Sequence, residues 1–147
     1  MNVTDPLTPI ALDGPWTVRL EQDGAVATER PLGSWTTFAP TFSGSAVYTT
    51  TVTLTAADLA RRKLILDLGE VHDLATATVN GAELPAALWH PYTVDATTAL
   101  RPGVNTISVR VTNTLANSRN KILASGLVGP VALRPRAALT ARLEATR

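Results

Sequence analysis

The stretch LILDLGEVHDLATATVNGAELPAALWHPYTVDATTALRPGVNTISVRVTN, residues 64–113, alternates apolar and polar side chains in three runs. The apolar positions are Leu64, Leu66 and Leu68; Ala75, Ala77 and Val79; and Ile107, Val109 and Val111. Successive side chains of a β-strand point to opposite faces, so each run can place one face against a core. Asn80-Gly81 follows the second run, and both residues accept the positive φ angles of a tight turn. The stretch therefore predicts three half-buried strands, with a tight turn after the second.

Similar signals continue outside this stretch. Further strands are predicted at residues 10–12, 16–21, 25–30, 46–54, 82–84 and 131–133. Thr55 and Asp58 resemble a capping box that starts a one-turn helix, and Asp95 is interpreted as the N-cap of another. Residues 69–73 are interpreted as a turn, and residues 31–44 as a long loop that is either functional or packed on its own aromatic rings. Eight to ten short strands separated by turns predict an all-β fold, an antiparallel β-sandwich of the jelly-roll type.

Length and composition limit the classes of function that this chain can have. The 147 residues predict one domain, with a lead-in at 1–9, a sandwich at 10–136 and a tail at 137–147. Thirteen basic and twelve acidic residues are spread along the chain, which argues against nucleic acid as a partner. The absence of cysteine excludes disulfides and thiolate metal sites. No apolar run is long enough for a membrane helix, so no membrane partner is expected. The start of the chain lacks a signal-peptide pattern, which leaves a cytoplasmic protein or a domain of a longer exported chain as alternatives.

The sequence shows no catalytic constellation. His72 and His90 have no metal-ligand spacing, and no serine lies in a G-x-S-x-G elbow. A glycosidase needs two facing carboxylates, for which the candidates are Asp67, Glu70, Asp73, Glu83 and Asp95. They are interpreted as solvated or capping groups, so the chain is predicted not to be an enzyme. No cofactor is predicted; loop carboxylates could hold a structural calcium ion, but no spacing indicates one.

The more specific signal combines aromatic rings with amides and a guanidinium. A pyranose presents an apolar C–H face that stacks on rings, and hydroxyl pairs that bind planar polar groups. Trp16 and Tyr48 are in phase with strand positions and are interpreted as core, with the Tyr48 hydroxyl at a rim. Core packing and ligand stacking both stay open for Trp89, and Asn80 is interpreted as a turn residue. The candidate carbohydrate-binding residues are Trp35, Trp89, His90, Tyr92, Asn113, Asn117, Arg119 and Asn120.

Several fragments in order resemble a known family. They include Leu12–Val18, Gly33–Thr36, Phe42–Tyr48, Val79–Gly81, Trp89–Asp95, Gly103–Ile107, Val111–Asn113 and Ser125–Val131. Together they resemble the sugar-binding jelly-roll domain of family 2 glycoside hydrolases. They are more closely similar to the C-terminal galactose-binding-like domain of family 106 alpha-L-rhamnosidases. After Asn113 the chain departs from that pattern, because it has Asn117 and Arg119 where the family tends to place a contiguous Asn-Arg.

The resemblance implies a non-catalytic, carbohydrate-associated domain whose acid and base lie in a separate barrel. The leading hypothesis is a carbohydrate-binding module that takes an oligo- or polysaccharide. The alternative is a structural domain that packs against a catalytic barrel and binds no sugar itself. A complete small glycosidase is the third hypothesis, and it would require two facing carboxylates.

Overall fold

The computed structural model describes residues 8–22, 24–39, 42, 44–60, 62–72, 74–85, 92–112 and 125–137. The described residues contain twelve strands: β1 (Ile10–Ala11), β2 (Thr17–Leu20), β3 (Thr28–Glu29), β4 (Ser45–Leu54), β5 (Arg62–Asp67), β6 (Glu70–His72), β7 (Leu74–Val79), β8 (Ala82–Glu83), β9 (Thr93–Asp95), β10 (Gly103–Thr112), β11 (Gly126–Gly129) and β12 (Ala132–Ala137). The helical elements in these ranges are α1 (Ala56–Leu59) and two 3-10 turns, Trp35–Thr37 and Thr97–Ala99.

The strands form two larger sheets and a small one. The six-stranded sheet has the order β3-β2-β4-β10-β7-β8, the four-stranded sheet β1-β12-β5-β9, and the third pairs β11 with β6. All of these strand pairs are antiparallel. The longest ladder joins β4 to β10, from Leu54 opposite Gly103 to Ser45 opposite Thr112. The predicted antiparallel β-sandwich is therefore confirmed.

The core contains the alternating aliphatic side chains of the central stretch. All nine predicted positions, from Leu64 to Val111, are at most 2% exposed. Eight of them come from β5, β7 and β10, and Leu68 directly follows β5; β5 and the other two strands belong to opposite sheets, so the two layers meet over these side chains. The two-residue period therefore identified the inward faces correctly.

The segment predicted as a turn at 69–73 is instead largely a strand. Glu70 to His72 form β6 and pair with β11, a strand that the sequence interpretation also missed. Val71 is buried, and one inward aliphatic in three residues is too short a pattern to reveal a strand. Gly69 keeps φ at +69°, and an added Cβ there would lie 2.5 Å from the Pro130 carbonyl oxygen. The bend before β6 therefore requires glycine.

The two predicted caps differ in outcome. Thr55 and Asp58 form the capping box of α1, with both reciprocal hydrogen bonds present, at 3.1 and 2.8 Å. Asp95 is not an N-cap, because it ends β9 and the following 3-10 turn is preceded by Ala96. Its carboxylate instead accepts from the Thr97 backbone N–H at 2.9 Å, an Asx-type turn.

Asn80 and Asn105 join the hairpin turn to the central strand. Asn80 has φ of 52°, which confirms its role in the turn. Its amide nitrogen also donates to Asn105 Oδ1 at 2.8 Å, and its amide oxygen accepts from the Thr106 backbone N–H at 3.0 Å. Asn105 is fully buried; it donates to the carbonyls of Arg101 and Gly103 and accepts from the Arg101 N–H at 2.9 Å. Two side chains thus satisfy backbone groups of three separate segments.

Tyr48 is a core residue with a buried hydroxyl, which corrects the expectation of a hydroxyl at the rim. The residue is 1% exposed, and among the described residues its Oη has no hydrogen-bond partner. Burial raises the pKa of Tyr48 to about 12, and the nearby Leu127 backbone, outside hydrogen-bonding geometry, lowers it by a smaller amount. Gly126, with φ of +106°, lies against this hydroxyl and leaves no room for a Cβ.

This buried phenol predicts a loss of stability at high pH. The folded protein holds the Tyr48 proton more tightly than the unfolded chain, whose tyrosine pKa is 10.0. The contribution of the protonated Tyr48 hydroxyl to the free energy of unfolding is therefore complete below pH 10. It declines as the pH rises towards 12, by about 2–3 kcal/mol in total. Urea unfolding across this range should show the decline in the wild type and a weaker one in Tyr48→Phe. Equal slopes in the two proteins would contradict the assignment to Tyr48.

Candidate functional site

The described residues that adjoin two segments, 86–91 and 113–124, lie at one end of the sandwich. Thr112 lies opposite Leu74 at the end of β10, and Gly126 lies opposite His72 at the start of β11. The Tyr92 carbonyl accepts from the Leu68 N–H at 2.9 Å, just before β6. β8 runs antiparallel to β7 and so leads towards its Leu74 end. Both segments therefore join the described structure around residues 68–74, which we call the His72 end.

Polar side chains are concentrated at the His72 end. His72 Nε2 lies 2.7 Å from Glu70 Oε2, and the two side chains are 32% and 60% exposed. Ser45 and Thr112 share a hydroxyl hydrogen bond of 2.6 Å. An imidazole, a carboxylate and hydroxyls are thus held on paired strands, where they can exchange hydrogen bonds with a polar ligand.

The structure describes only two of the eight predicted site residues. Tyr92 is half-buried, packs against the core and lies beside Leu68, at the His72 end. Six predicted residues lie outside the described ranges: Trp89, His90, Asn113, Asn117, Arg119 and Asn120.

Trp35 is placed in the core, which corrects its assignment as a sugar-stacking ring. It is 0% exposed, so neither face is open to a ligand. The indole N–H donates to the Phe42 carbonyl at 3.2 Å, and the Phe42 ring meets the indole edge to face at 5.3 Å. The predicted packing of the 31–44 loop on its own aromatic rings is therefore correct. The ring was assigned to a ligand because a loop position shows no periodicity that could reveal burial.

Asp67 and Asp95 serve turns and ion pairs. Asp67 accepts from the Gly69 N–H at 2.9 Å and pairs with Arg134 Nε at 2.7 Å. Hydrogen bonds from Thr97, more than the charge of Lys63, lower the pKa of Asp95. Within the described residues, no group of three or more His, Asp or Glu side chains is placed to hold a metal ion. A search of the same residues finds no helix with the length and apolarity to cross a membrane.

Sequence hypotheses missed Glu70 and His72 as partners in a potential site. The signal that could have found them is the alternation Glu70-Val71-His72, which places both polar side chains on one face of a strand.

These features define an antiparallel β-sandwich of the galactose-binding-like class. Residues 38–142 match the family described as glycosyl hydrolase 2 galactose-binding domain-like, and the chain belongs to this family. A Formosa agariphila protein that bears a beta-glucuronidase name is 33% identical over 118 residues, which are 74% of this chain and 10% of that protein.

Solved structures share the fold. A rhamnosidase from Novosphingobium sp. PP1Y superposes with a TM-score of 0.74 at 31% identity, over 86% of this chain and 15% of that one. The Ruminococcus gnavus beta-glucuronidase gives a TM-score of 0.69 at 22% identity, over 87% of this chain and 28% of that one. A Dictyoglomus thermophilum beta-D-glucuronidase gives 0.73 at 17% identity, over 89% and 28%. The chain therefore spans between 10% and 28% of the length of these glycoside hydrolases.

Proposed function

We propose that this chain is a non-catalytic, carbohydrate-binding domain of a glycoside hydrolase and that it binds saccharide at the His72 end. The observation that carries the proposal is the meeting of the flanks of 86–91 and 113–124 at this one end. The first segment contains Trp89 and His90, and the second contains Asn113, Asn117, Arg119 and Asn120. The two halves of the predicted ring-and-amide set thus belong to segments with neighbouring attachment points.

The described side chains at this end supply matching chemistry. Glu70 and His72 form a solvent-accessible hydrogen-bonded pair that can accept and donate hydrogen bonds to vicinal hydroxyls. Tyr92 is half-buried and supplies a further aromatic ring directly after residue 91. Stacking by Trp89 and hydrogen bonds from the amides and Arg119 would complete recognition, without a catalytic acid or base. No metal or cofactor takes part in this proposal.

Trp89→Ala is expected to abolish retention on a polysaccharide affinity gel. The indole would supply the largest apolar contact with the C–H face of a pyranose, and stacking on one ring contributes roughly 0.5–1.5 kcal/mol beyond area burial. The measurement is the migration of wild type and variant in gels that contain a polysaccharide, with the melting temperature recorded in parallel. The melting temperature should be nearly unchanged.

One control variant and one further site variant accompany this experiment. Val104→Ala removes an apolar side chain that is 59% exposed at the opposite end of β10 from Thr112, and it should migrate like the wild type. Glu70→Gln removes the carboxylate that contacts His72 and should weaken retention without unfolding, because both groups are solvent-accessible. Undiminished retention of Trp89→Ala, or collapse of its fold, would contradict the stacking role. A glycan array with and without chelator would identify the sugar and test a calcium requirement.

The alternative is an accessory domain that packs against a catalytic barrel and binds no sugar itself. It is favoured by the burial of Trp35, which removes one ring from the proposed stacking set. Absence of binding across the glycan array by a folded protein would support this reading over the first.

A further inference from the structure

A concave surface lies between the segment before β2, the segment after β3 and the end of β11. It encloses about 330 Å³. Its floor consists of Leu12, Trp16 and Val131, each at most 4% exposed. Half-buried Leu32 and Val128 form its walls. We call this surface the Trp16 hollow.

The rim of the Trp16 hollow carries one ionisable group. Pro31, Pro130 and Asp13 are exposed at its edge, and Asp13 is the one charged residue among those that line it. In the described part of the chain no cation pairs with Asp13. Arg30 donates its backbone N–H to Trp16, but its guanidinium lies over the Phe38 ring, 3.9 Å from the centroid.

The polar backbone around the floor is already hydrogen-bonded. Leu12 N–H donates to the Val131 carbonyl at 2.9 Å, and Trp16 Nε1 donates to the Leu12 carbonyl at 3.0 Å. The Trp16 carbonyl accepts from Arg30 N–H at 3.0 Å. A ligand therefore meets an apolar floor and a single carboxylate at the edge.

This pattern selects one ligand chemistry. A saccharide needs several donors and acceptors around its hydroxyls, and one carboxylate cannot supply them. An arginine or lysine side chain has an apolar stem that can lie on the floor and a charged head that can reach Asp13. The relatives are several times longer than this chain, so in them a domain of this type adjoins other protein.

We propose that the Trp16 hollow is a docking pocket for an arginine or lysine side chain of an adjoining protein domain. The aliphatic stem packs on Leu12, Trp16 and Val131, and the cationic head pairs with the Asp13 carboxylate. None of the residues that line the pocket is among those proposed to bind sugar, so this inference does not depend on whether the His72 end binds a saccharide.

The test uses the folded domain and a blocked amino acid as the probe. N-acetyl-arginine amide is titrated while amide and indole N–H signals are followed by NMR; the Trp16 indole is a reporter inside the hollow. We expect saturable shifts at Leu12, Trp16, Val128 and Val131. N-acetyl-norleucine amide, which has a similar stem and no charge, should bind more weakly.

Variants test whether binding of the arginine probe depends on the Asp13 charge and on the open space of the Trp16 hollow. Asp13→Asn should weaken binding of the arginine probe about three- to tenfold, since one charged hydrogen bond is lost at an exposed rim. The matched control Glu29→Gln changes an exposed acid outside the hollow and should bind as the wild type does. Val128→Phe should fill the hollow and abolish the shifts; circular dichroism and the melting temperature establish that each variant is folded.

Four outcomes would overturn the proposal. The first is equal binding of the arginine and norleucine amides, and the second is unchanged affinity in folded Asp13→Asn. The third is a larger response of the same residues to methyl galactoside or methyl rhamnoside, which would make the hollow a sugar site. Self-association in sedimentation that Asp13→Asn removes would identify a second copy as the occupant instead, and would equally overturn it.

Discussion

Replacing Trp35 with alanine is expected to lower the free energy of unfolding by about 3–5 kcal/mol, as for other fully buried large aromatic side chains. The indole is 0% exposed and packs edge to face on Phe42. Its removal leaves a cavity next to Gly126, which lies against the ring and has no side chain to fill the space. A typical domain has a total stability of only about 5–15 kcal/mol, so the variant should melt far below the wild type.

Urea or thermal unfolding of wild type, Trp35→Ala and Trp35→Phe measures this effect. Trp35→Phe keeps a ring in the core but loses the hydrogen bond to the Phe42 carbonyl, so its loss should be smaller. Saccharide retention of folded Trp35→Phe should equal that of the wild type, because the sealed ring cannot touch a ligand. A stability loss below about 1 kcal/mol in Trp35→Ala would contradict the burial of this ring.

Asn105→Ala is expected to be comparably damaging, with a loss of about 3–5 kcal/mol, because several part-buried hydrogen bonds of a fully buried side chain are lost together. The change leaves the Arg101 N–H, the carbonyls of Arg101 and Gly103 and the Asn80 amide without their present hydrogen bonds. These groups connect the turn after β7, the segment before β10 and β10 itself. The loss should therefore reach all three segments.

Chemical denaturation with hydrogen exchange is the appropriate measurement for Asn105. Amide protection should fall at Arg101 and Thr106 as well as globally. Thr106→Ala is the matched control, since its side chain is exposed and adjacent, and its effect should stay within about 0.5 kcal/mol. Asn80→Gly keeps the positive φ of the turn but removes the amide. A stability equal to that of wild type in Asn80→Gly would show that the turn conformation alone matters.

The predictability of this fold differs between long and short elements. Strands β4, β7 and β10 repeat the apolar period three or more times, so their positions and inward faces could be predicted. β6 and β11 are three and four residues long, and their pairing depends on contacts between distant parts of the chain. The capping box of α1 is local and was recognisable, whereas the partners of Asn105 come from different segments, which local patterns cannot reveal.

The candidate site was less predictable than the core. Ring and amide types in loops suggest saccharide chemistry, but residue type does not determine whether a ring faces the solvent, as Trp35 shows. Glu70 and His72 acquire their significance from the position of β6 beside β11, which is a tertiary property. The Trp16 hollow likewise combines residues that are more than a hundred positions apart, such as Asp13 and Val128.

The outermost strands of the two larger sheets are all very short. β1, β3 and β8 have two residues each, and β9 has three. Open backbone groups on a long outer strand recruit foreign chains and promote fibre formation, and so brief a stretch offers few such groups. A sandwich with such short edge strands can be joined to unrelated domains in a long polypeptide with little risk of edge-to-edge aggregation with them or with its own copies.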